Sequence, residues 1–407
     1  MVFQNLAMRD KMICLAVSKS WNNFLECTKT LWTTLYTSRA CQPISLKALE
    51  QYLKRSDSTV DNALLHLESF ADKANMEYLT NTCHRLTDLR IHGEGTLSQS
   101  QAAFLATAKG IQKLHLSQDT QVTCQTMVFI SDICRQTLKE AKFLHVKEKE
   151  IRAVTSWPRM NALTSIHMDF VGFCALNLSK LIEATPKIRS AAINNCQSHE
   201  TSRLDMTPWP NLERLVLTKT KIYYFPKLPP GLKHLILDGS CNLYPSSIDD
   251  DNSIFSLPLL ETFSFQDNNI DIPQIFAITE SCIRANNLKI IRLGGIAIPY
   301  PSDNSLCDYF PASSTVEEFS MKELDMWDED ATEIIKLYPS LKKIDLSNTQ
   351  ITKATVMELV DRGVESIIIN DCDKVYSNTV KMARAKGVYV SYKFIDDTDS
   401  TSGERES

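Results

Sequence analysis

The segment Leu86-Thr87-Asp88-Leu89-Arg90-Ile91 reads apolar-x-x-apolar-x-apolar, and Leu341-Lys342-Lys343-Ile344-Asp345-Leu346 repeats that reading near the other end of the chain. The same spacing starts at Val60, Ile111, Leu138, Leu163, Ile188, Leu212, Leu232, Leu260, Leu288, Val316 and Val364, thirteen copies in all. Positions 4 and 6 of the pattern share one side of a short strand by period-2 alternation, and position 1 turns inward from the preceding loop. One such unit cannot bury its apolar face alone, so neighbouring copies must stack and share a continuous core.

From Val60 to Val364 the mean step is about 25 residues, inside the leucine-rich-repeat range. The expected architecture is an α/β horseshoe solenoid over residues 60–395, with parallel strands inside and helices outside. Position 9 is a second check, because these repeats favour Asn or Cys there, where the side chain can satisfy backbone groups of the turn. Cys196, Asn268 and Cys372 fall at that position, with Thr220, Ser240 and Thr349 as short polar substitutes, whereas the copies from Ile111, Leu138, Leu288 and Val316 carry neither Asn nor Cys. Amphipathic stretches at 74–83, 100–109, 123–136, 176–185, 273–286, 328–338, 352–362 and 377–386 predict return helices. Between Ile222 and Gly231, Pro226, Pro229 and Pro230 exclude a regular helix, so that return must be extended.

Of the 407 residues, 43% are hydrophobic and 23% charged, with no apolar run approaching the ~18 residues that span a bilayer. The N-terminus lacks a signal-peptide core, since Ile13 to Val17 is short and is followed by Ser18-Lys19-Ser20-Trp21. Nucleus or cytoplasm is the expected location, with no membrane contact. The net charge of −5 argues against direct nucleic-acid binding, which relies on clustered Lys and Arg. The twelve cysteines show no Cys-x-x-Cys pair, so they read as reduced structural thiols and the fold as indifferent to reductant and chelator. Residues 396–407 are acidic and almost free of apolar side chains, which predicts a disordered tail.

Residues 1–40 do not follow the repeat. Leu6, Asp10, Met12, Leu15, Val17, Trp21, Phe24, Leu25, Leu31 and Trp32 are spaced like two or three short packed helices, with Asp10 placed to cap one of them. So short a segment cannot bury its own apolar side chains and needs a partner or the end of the solenoid. Leu6, Arg9-Asp10, Leu15-Ala16-Val17-Ser18-Lys19-Ser20-Trp21 and Leu31-Trp32 resemble the second half of an F-box. The order of this segment, a junction at 41–59 and a repeat array is similar to that of fungal proteins with tetratricopeptide, F-box and leucine-rich segments. The Leu-Pro opening of an F-box would lie upstream of the helix matched by Val2 to Leu6, so the box is read as N-terminally truncated. The resemblance implies a substrate-recognition subunit of a Skp/cullin/F-box ubiquitin ligase, with a nuclear role. It implies a Skp-type adaptor, and through it a cullin, bound by Leu6, Leu15, Val17, Trp21 and Trp32, the two tryptophans standing either at the adaptor's edge or as anchors to the first repeat. The competing reading is a leucine-rich-repeat interaction scaffold without ubiquitin function.

Enzyme signatures are missing: there is no Gly-x-Gly-x-x-Gly, Walker loop or His-Glu-x-x-His. Asp371-Cys372-Asp373 is a poor nucleophile, because flanking carboxylates raise a thiol pKa. His115, His145, His167 and His234 occur singly, so no metal and no cofactor is expected. Substrate choice is expected on the concave face at pattern positions 2, 3 and 5, which in the first half include Asp88, Arg90, Lys113, His115, Lys139, Lys142, His167 and Arg189, mostly basic, with Arg90, Lys113, His115, Lys142, His167 and Arg189 as the expected contacts. Such a row suits an acidic or phosphorylated protein segment; an ordinary solvated strand face is the alternative.

Overall fold

The computed structural model describes residues 3, 6–37, 44–70, 73–108, 110–148, 153–154, 156–198, 203–239, 257–266, 280, 282–295 and 310–393. Asn268, Ser240, most of the expected helix at 273–286 and the tail 396–407 lie outside these residues. The chain forms two compact units, Met1–Leu212 and Glu213–Ser407. Both are built from leucine-rich repeats. Positions 1, 4 and 6 of all thirteen copies are buried, the most exposed being Leu341 at 7%.

The first unit contains β1 (Thr34–Tyr36), β2 (Asn62–His66), β3 (Asp88–His92), β4 (Gly95–Thr96), β5 (Lys113–Leu116), β6 (Thr120–Gln121), β7 (Glu140–Lys147), β8 (Ala153–Val154), β9 (Ser165–Leu176) and β10 (Ser190–Ser198). β1, β2, β3, β5, β7, β9 and β10 lie side by side and parallel, while β8 pairs with β9 and β4 with β6. The pattern sets the register: Ala63, Leu89, Leu114, Ala141, Ile166 and Ala191 match across successive strands. Just before each strand, the carbonyl at position 2 accepts two backbone N–H groups from the next repeat. Asp61, Thr87, Gln112, Lys139 and Thr164 all do this at 2.7–3.1 Å.

The ribbon starts one repeat earlier than the thirteen copies predict. Thr33 makes the same paired contacts to Asp61 and Asn62, and Leu35 is matched with Ala63. Trp32, Leu35 and Thr37 occupy positions 1, 4 and 6, and all three are buried. A polar residue at position 6 hides this copy from a search for apolar spacing; Thr37 Oγ1 is used instead as an acceptor for His66 N–H at 2.6 Å. The expected junction is therefore mostly a return helix, Leu46–Arg55, capped by Ser45 and burying Leu49, Tyr52 and Leu53. The other described helices fall where amphipathicity puts them, at Lys73–Thr82, Gln99–Ala102, Cys124–Ile133, Leu178–Ala184, Asp328–Leu337, Lys353–Asp361 and Ser377–Ala385. The proline-rich return at 222–231 is free of helix.

The second unit contains β11 (Arg214–Thr218), β12 (His234–Ile236), β13 (Thr262–Gln266), β14 (Ile290–Gly294), β15 (Glu318–Lys322), β16 (Lys343–Asp345), β17 (Ser366–Ile368) and β18 (Tyr389–Ser391), parallel and in sequence order. Its position-2 residues alternate in sign: Glu213, Lys233, Glu261, Lys289, Glu317, Lys342, Glu365. Each lysine reaches back one repeat, Lys233 to Glu213 at 3.5 Å, Lys289 to Glu261 at 2.9 Å and Lys342 to Glu317 at 3.1 Å. Exposed pairs of this kind contribute about 0–1 kcal/mol each. Asp328 clips neighbouring helices, accepting from Thr352 N at 2.8 Å, Thr352 Oγ1 at 2.6 Å and Thr355 Oγ1 at 2.5 Å. Those bonds overcome burial and hold its carboxyl below the usual range.

From the copy at Ile188 onward, position 8 carries a backbone requirement that apolar spacing does not show. Asn195, Lys219, Gly239, Gly295, Glu323, Asn348 and Asp371 all have φ between 51° and 61°. This is the left-handed turn that ends the strand, which Gly, Asn and Asp enter most readily.

Candidate interaction surfaces

Two surfaces of the first unit carry the residues singled out from sequence. The N-terminal surface is a pair of helices, Met8–Val17 and Lys19–Cys27, followed by a short 3₁₀ turn at Lys29–Trp32. The second helix is capped by Ser18, whose hydroxyl accepts the Trp21 N–H at 3.1 Å. Asp10 is not a cap: the first helix begins at Met8, with Ala7 at the cap position, and Asp10 lies in its first turn, where a carboxylate favours the helix dipole.

Ala7, Met8, Lys11, Leu25, Leu31 and Trp32 are buried. Trp32, expected either at the edge of an adaptor or as an anchor to the first repeat, is fully buried. Its indole N–H donates to the Leu25 carbonyl at 2.8 Å, and its ring meets that of Tyr52 edge-on at 5.1 Å, while the Tyr52 hydroxyl donates to the Thr34 carbonyl at 2.8 Å. Of its two possible roles, Trp32 has that of anchor to the first strand. Leu6 and Leu15 are half-buried, and Val17 and Trp21 are exposed, at 58% and 42%. Ile13 and Phe24, not singled out as contacts from sequence, are exposed to a similar degree, at 54% and 51%. Phe3 bridges the pair's outer side, its ring 5.3 Å from Trp21 and 5.8 Å from Phe24. Ile13 and Val17 are four residues apart on the first helix, and Trp21 and Phe24 three apart on the second, so each helix has a second apolar face that the repeats do not cover. That spacing is the sequence signal for the two missed residues.

The second surface is the strand face. Position 5 forms the row Tyr36, Leu64, Arg90, His115, Lys142, His167 and Ala192, matched strand by strand. Four of the six expected substrate-contacting residues therefore stand on consecutive strands about 4.8 Å apart. Lys113 is exposed one row away, at position 3. Arg189 is exposed at position 2, off the strand row.

The row is less basic than expected, because position 3 supplies carboxylates. Asp88 takes a bidentate pair from Arg90, with Nε at 3.1 Å and the terminal nitrogen at 2.9 Å. Glu140, missed in the sequence reading, is the hub of the rest: Lys142 Nζ lies 3.0 Å away, His115 Nε2 3.1 Å and Lys113 Nζ 4.0 Å. Burial opposes ionisation of Glu140, but the hydrogen bond and charge of Lys142, helped by His115, outweigh it and hold the carboxyl below its usual range. Burial and the Lys142 charge push the His115 pKa down, so the imidazole is neutral at pH 7. His167 Nε2 lies 3.3 Å from the side-chain nitrogen of Asn194. Three cations then face two carboxylates, a net charge of one.

Cys372 is buried and donates to the Leu346 carbonyl at 3.1 Å, and burial raises its thiol pKa. Thr349 Oγ1 donates to the same carbonyl at 2.7 Å, so both position-9 residues serve the turn. Among the described residues no three His, Cys, Asp or Glu side chains converge to hold a metal ion, and no helix is long and apolar enough to cross a membrane.

No protein-family model matches the chain. Among solved structures it is similar to a chain of the Rad7–Elc1 complex from yeast, at 14% identity and a TM-score of 0.45, covering 98% of this chain and 90% of that one. It is also similar to an internalin from Listeria monocytogenes, at 10% identity and a TM-score of 0.45, covering 88% and 92%. A chain of an octameric assembly of latrophilin 3, Unc5D and FLRT2 matches at 14% identity and a TM-score of 0.41, covering 68% and 81%. The assignment to leucine-rich repeats rests on the register and burial described above.

Proposed function

We propose that this chain is a non-catalytic substrate-recognition subunit of a cullin-type ubiquitin ligase, acting in the nucleus or cytoplasm. Its N-terminal helices bind a Skp-type adaptor, and its strand face binds the protein to be modified. One observation carries the reading: a helical pair anchored inward by Trp32 turns Ile13, Val17, Trp21 and Phe24 outward. Large apolar side chains gathered on so small a segment mark a protein contact, and they lie where the sequence resembles an F-box.

The test is capture of a purified Skp-type adaptor by the chain and by a Val17→Asp/Trp21→Asp variant. Each truncated hot-spot residue typically costs about 2 kcal/mol or more, roughly thirtyfold in affinity, so the double variant should lose capture while keeping its helical circular dichroism. If the unaltered chain captures no adaptor, the reading fails. The second reading, an interaction scaffold without ubiquitin function, is supported by the same apolar face, which calls for a protein cover without specifying which.

A further inference from the structure

Cys124 and Cys174 are 50 positions apart in sequence, yet their sulfur atoms lie 2.8 Å from each other in the core of the first unit. Carbon atoms, smaller than sulfur, normally rest about 3.5–4.0 Å apart without a bond, and a disulfide spans about 2.05 Å. Both side chains are buried. Each backbone is held in place. Cys124 opens the helix Cys124–Ile133 behind its cap Thr123, and its N–H donates to Glu148 Oε1 at 2.6 Å. Cys174 lies on β9 where that strand is paired with β10. The sulfurs are thus brought together by repeat stacking.

We propose that Cys124 and Cys174 are a site of reversible oxidative cross-linking, closing to a disulfide in the presence of a peroxide. The two sulfurs share one hydrogen bond, in which either can donate; the contact lowers the pKa of Cys174 and, with burial, raises that of Cys124, so Cys174 is the sulfur favoured as thiolate. The Cys174 thiolate attacks one oxygen of hydrogen peroxide. The O–O bond breaks, and the leaving hydroxide combines with the proton lost from that thiol as water, leaving a sulfenic acid. The Cys124 sulfur then attacks the Cys174 sulfur: the S–S bond forms, the S–O bond breaks, and hydroxide leaves with the Cys124 proton as a second water. Two thiols lose two electrons and one peroxide gains them. This proposal departs from the expectation that redox state is immaterial to this fold. The spacing rules for cysteine describe neighbours in sequence, and these two meet only across stacked repeats.

Cys196 is the alternative partner, because it is matched with Cys174 across β9 and β10 and is also buried. The experiment treats the folded full chain with hydrogen peroxide well below its melting temperature, then digests it without reductant and maps linked peptides by mass spectrometry. The expected product joins Cys124 to Cys174, consumes two thiols, reverts with dithiothreitol, and raises the melting temperature by roughly 5–10 °C through closure of a long loop. Cys124→Ser should abolish the linked peptide, and Cys282→Ser should not. A Cys174–Cys196 peptide, or sulfenic and sulfinic acids without a cross-link in a protein that stays folded, would overturn the proposal.

Discussion

The Lys11 ammonium donates to the Leu31 carbonyl across 2.7 Å, and no part of the Lys11 side chain reaches solvent. Burial lowers its pKa to about 8. In the unfolded chain a lysine titrates near 10.4, so between pH 8 and 10.4 the unfolded state binds more protons and stability must rise with pH. Below pH 8 both states are charged and the desolvation cost is constant, about 3 kcal/mol at most.

A Lys11→Met variant should therefore lack this rise. Chemical denaturation of both proteins at pH 7 and pH 9.5, followed by tryptophan fluorescence, checks it. The wild type should gain on the variant by 1–3 kcal/mol, an order-of-magnitude range, as pH increases; equal pH slopes would show that Lys11 does not titrate in this window.

The two tryptophans of the N-terminal segment should separate cleanly. Trp32→Ala removes a buried side chain and the bond to Leu25, which should cost about 3–5 kcal/mol and free the helical pair from the first strand. Trp21→Ala should change stability by less than about 1 kcal/mol and act on partner capture alone. Thermal melts and limited proteolysis of both variants read the difference.

Removing the carboxylate hub should make the strand face more basic. Glu140→Gln raises the net charge of the row by one and releases Lys142. If this row holds an acidic or phosphorylated segment, affinity for a phosphopeptide should increase by about fivefold, roughly 1 kcal/mol, at low salt. The gain should shrink at high ionic strength. Fluorescence anisotropy with phosphorylated and unmodified peptides measures it, and an unchanged affinity would exclude the row as the site.

At position 8 the sign of a glycine substitution should depend on the residue replaced. Gly239 has φ 61° and its nearest would-be Cβ contact is Lys219 at 3.5 Å, so Gly239→Ala adds backbone strain of about 1–2 kcal/mol without a clash. Glu323 already bears that strain at φ 61°, and Glu323→Gly should relieve it for a gain of up to about 1 kcal/mol after the added freedom of the unfolded chain. Urea midpoints of the two variants should move in opposite directions.

What the amino-acid sequence determined by itself is the set of residues that face inward. Leu86, Leu89 and Ile91, and every later triplet, are buried as their spacing requires, and the described return helices other than Leu46–Arg55 sit in the expected amphipathic stretches, because period 2 and period 3.6 are local properties of the chain. Which residues meet was decided by the tertiary structure. Trp32 was legible as a large apolar residue, but its inward role depends on Tyr52 and on a strand whose position 6 is the polar Thr37. Glu140 neutralises side chains on its own and a neighbouring strand, the Glu213–Lys233 ladder pairs successive repeats, and Cys124 finds Cys174 across stacked ones. In a solenoid the long-range neighbours of a residue lie one or two repeats away, about 25 residues along the chain per repeat, as Cys124 and Cys174 do at 50. A local pattern specifies that a side chain goes in or out, and only the stacking register specifies what it touches there.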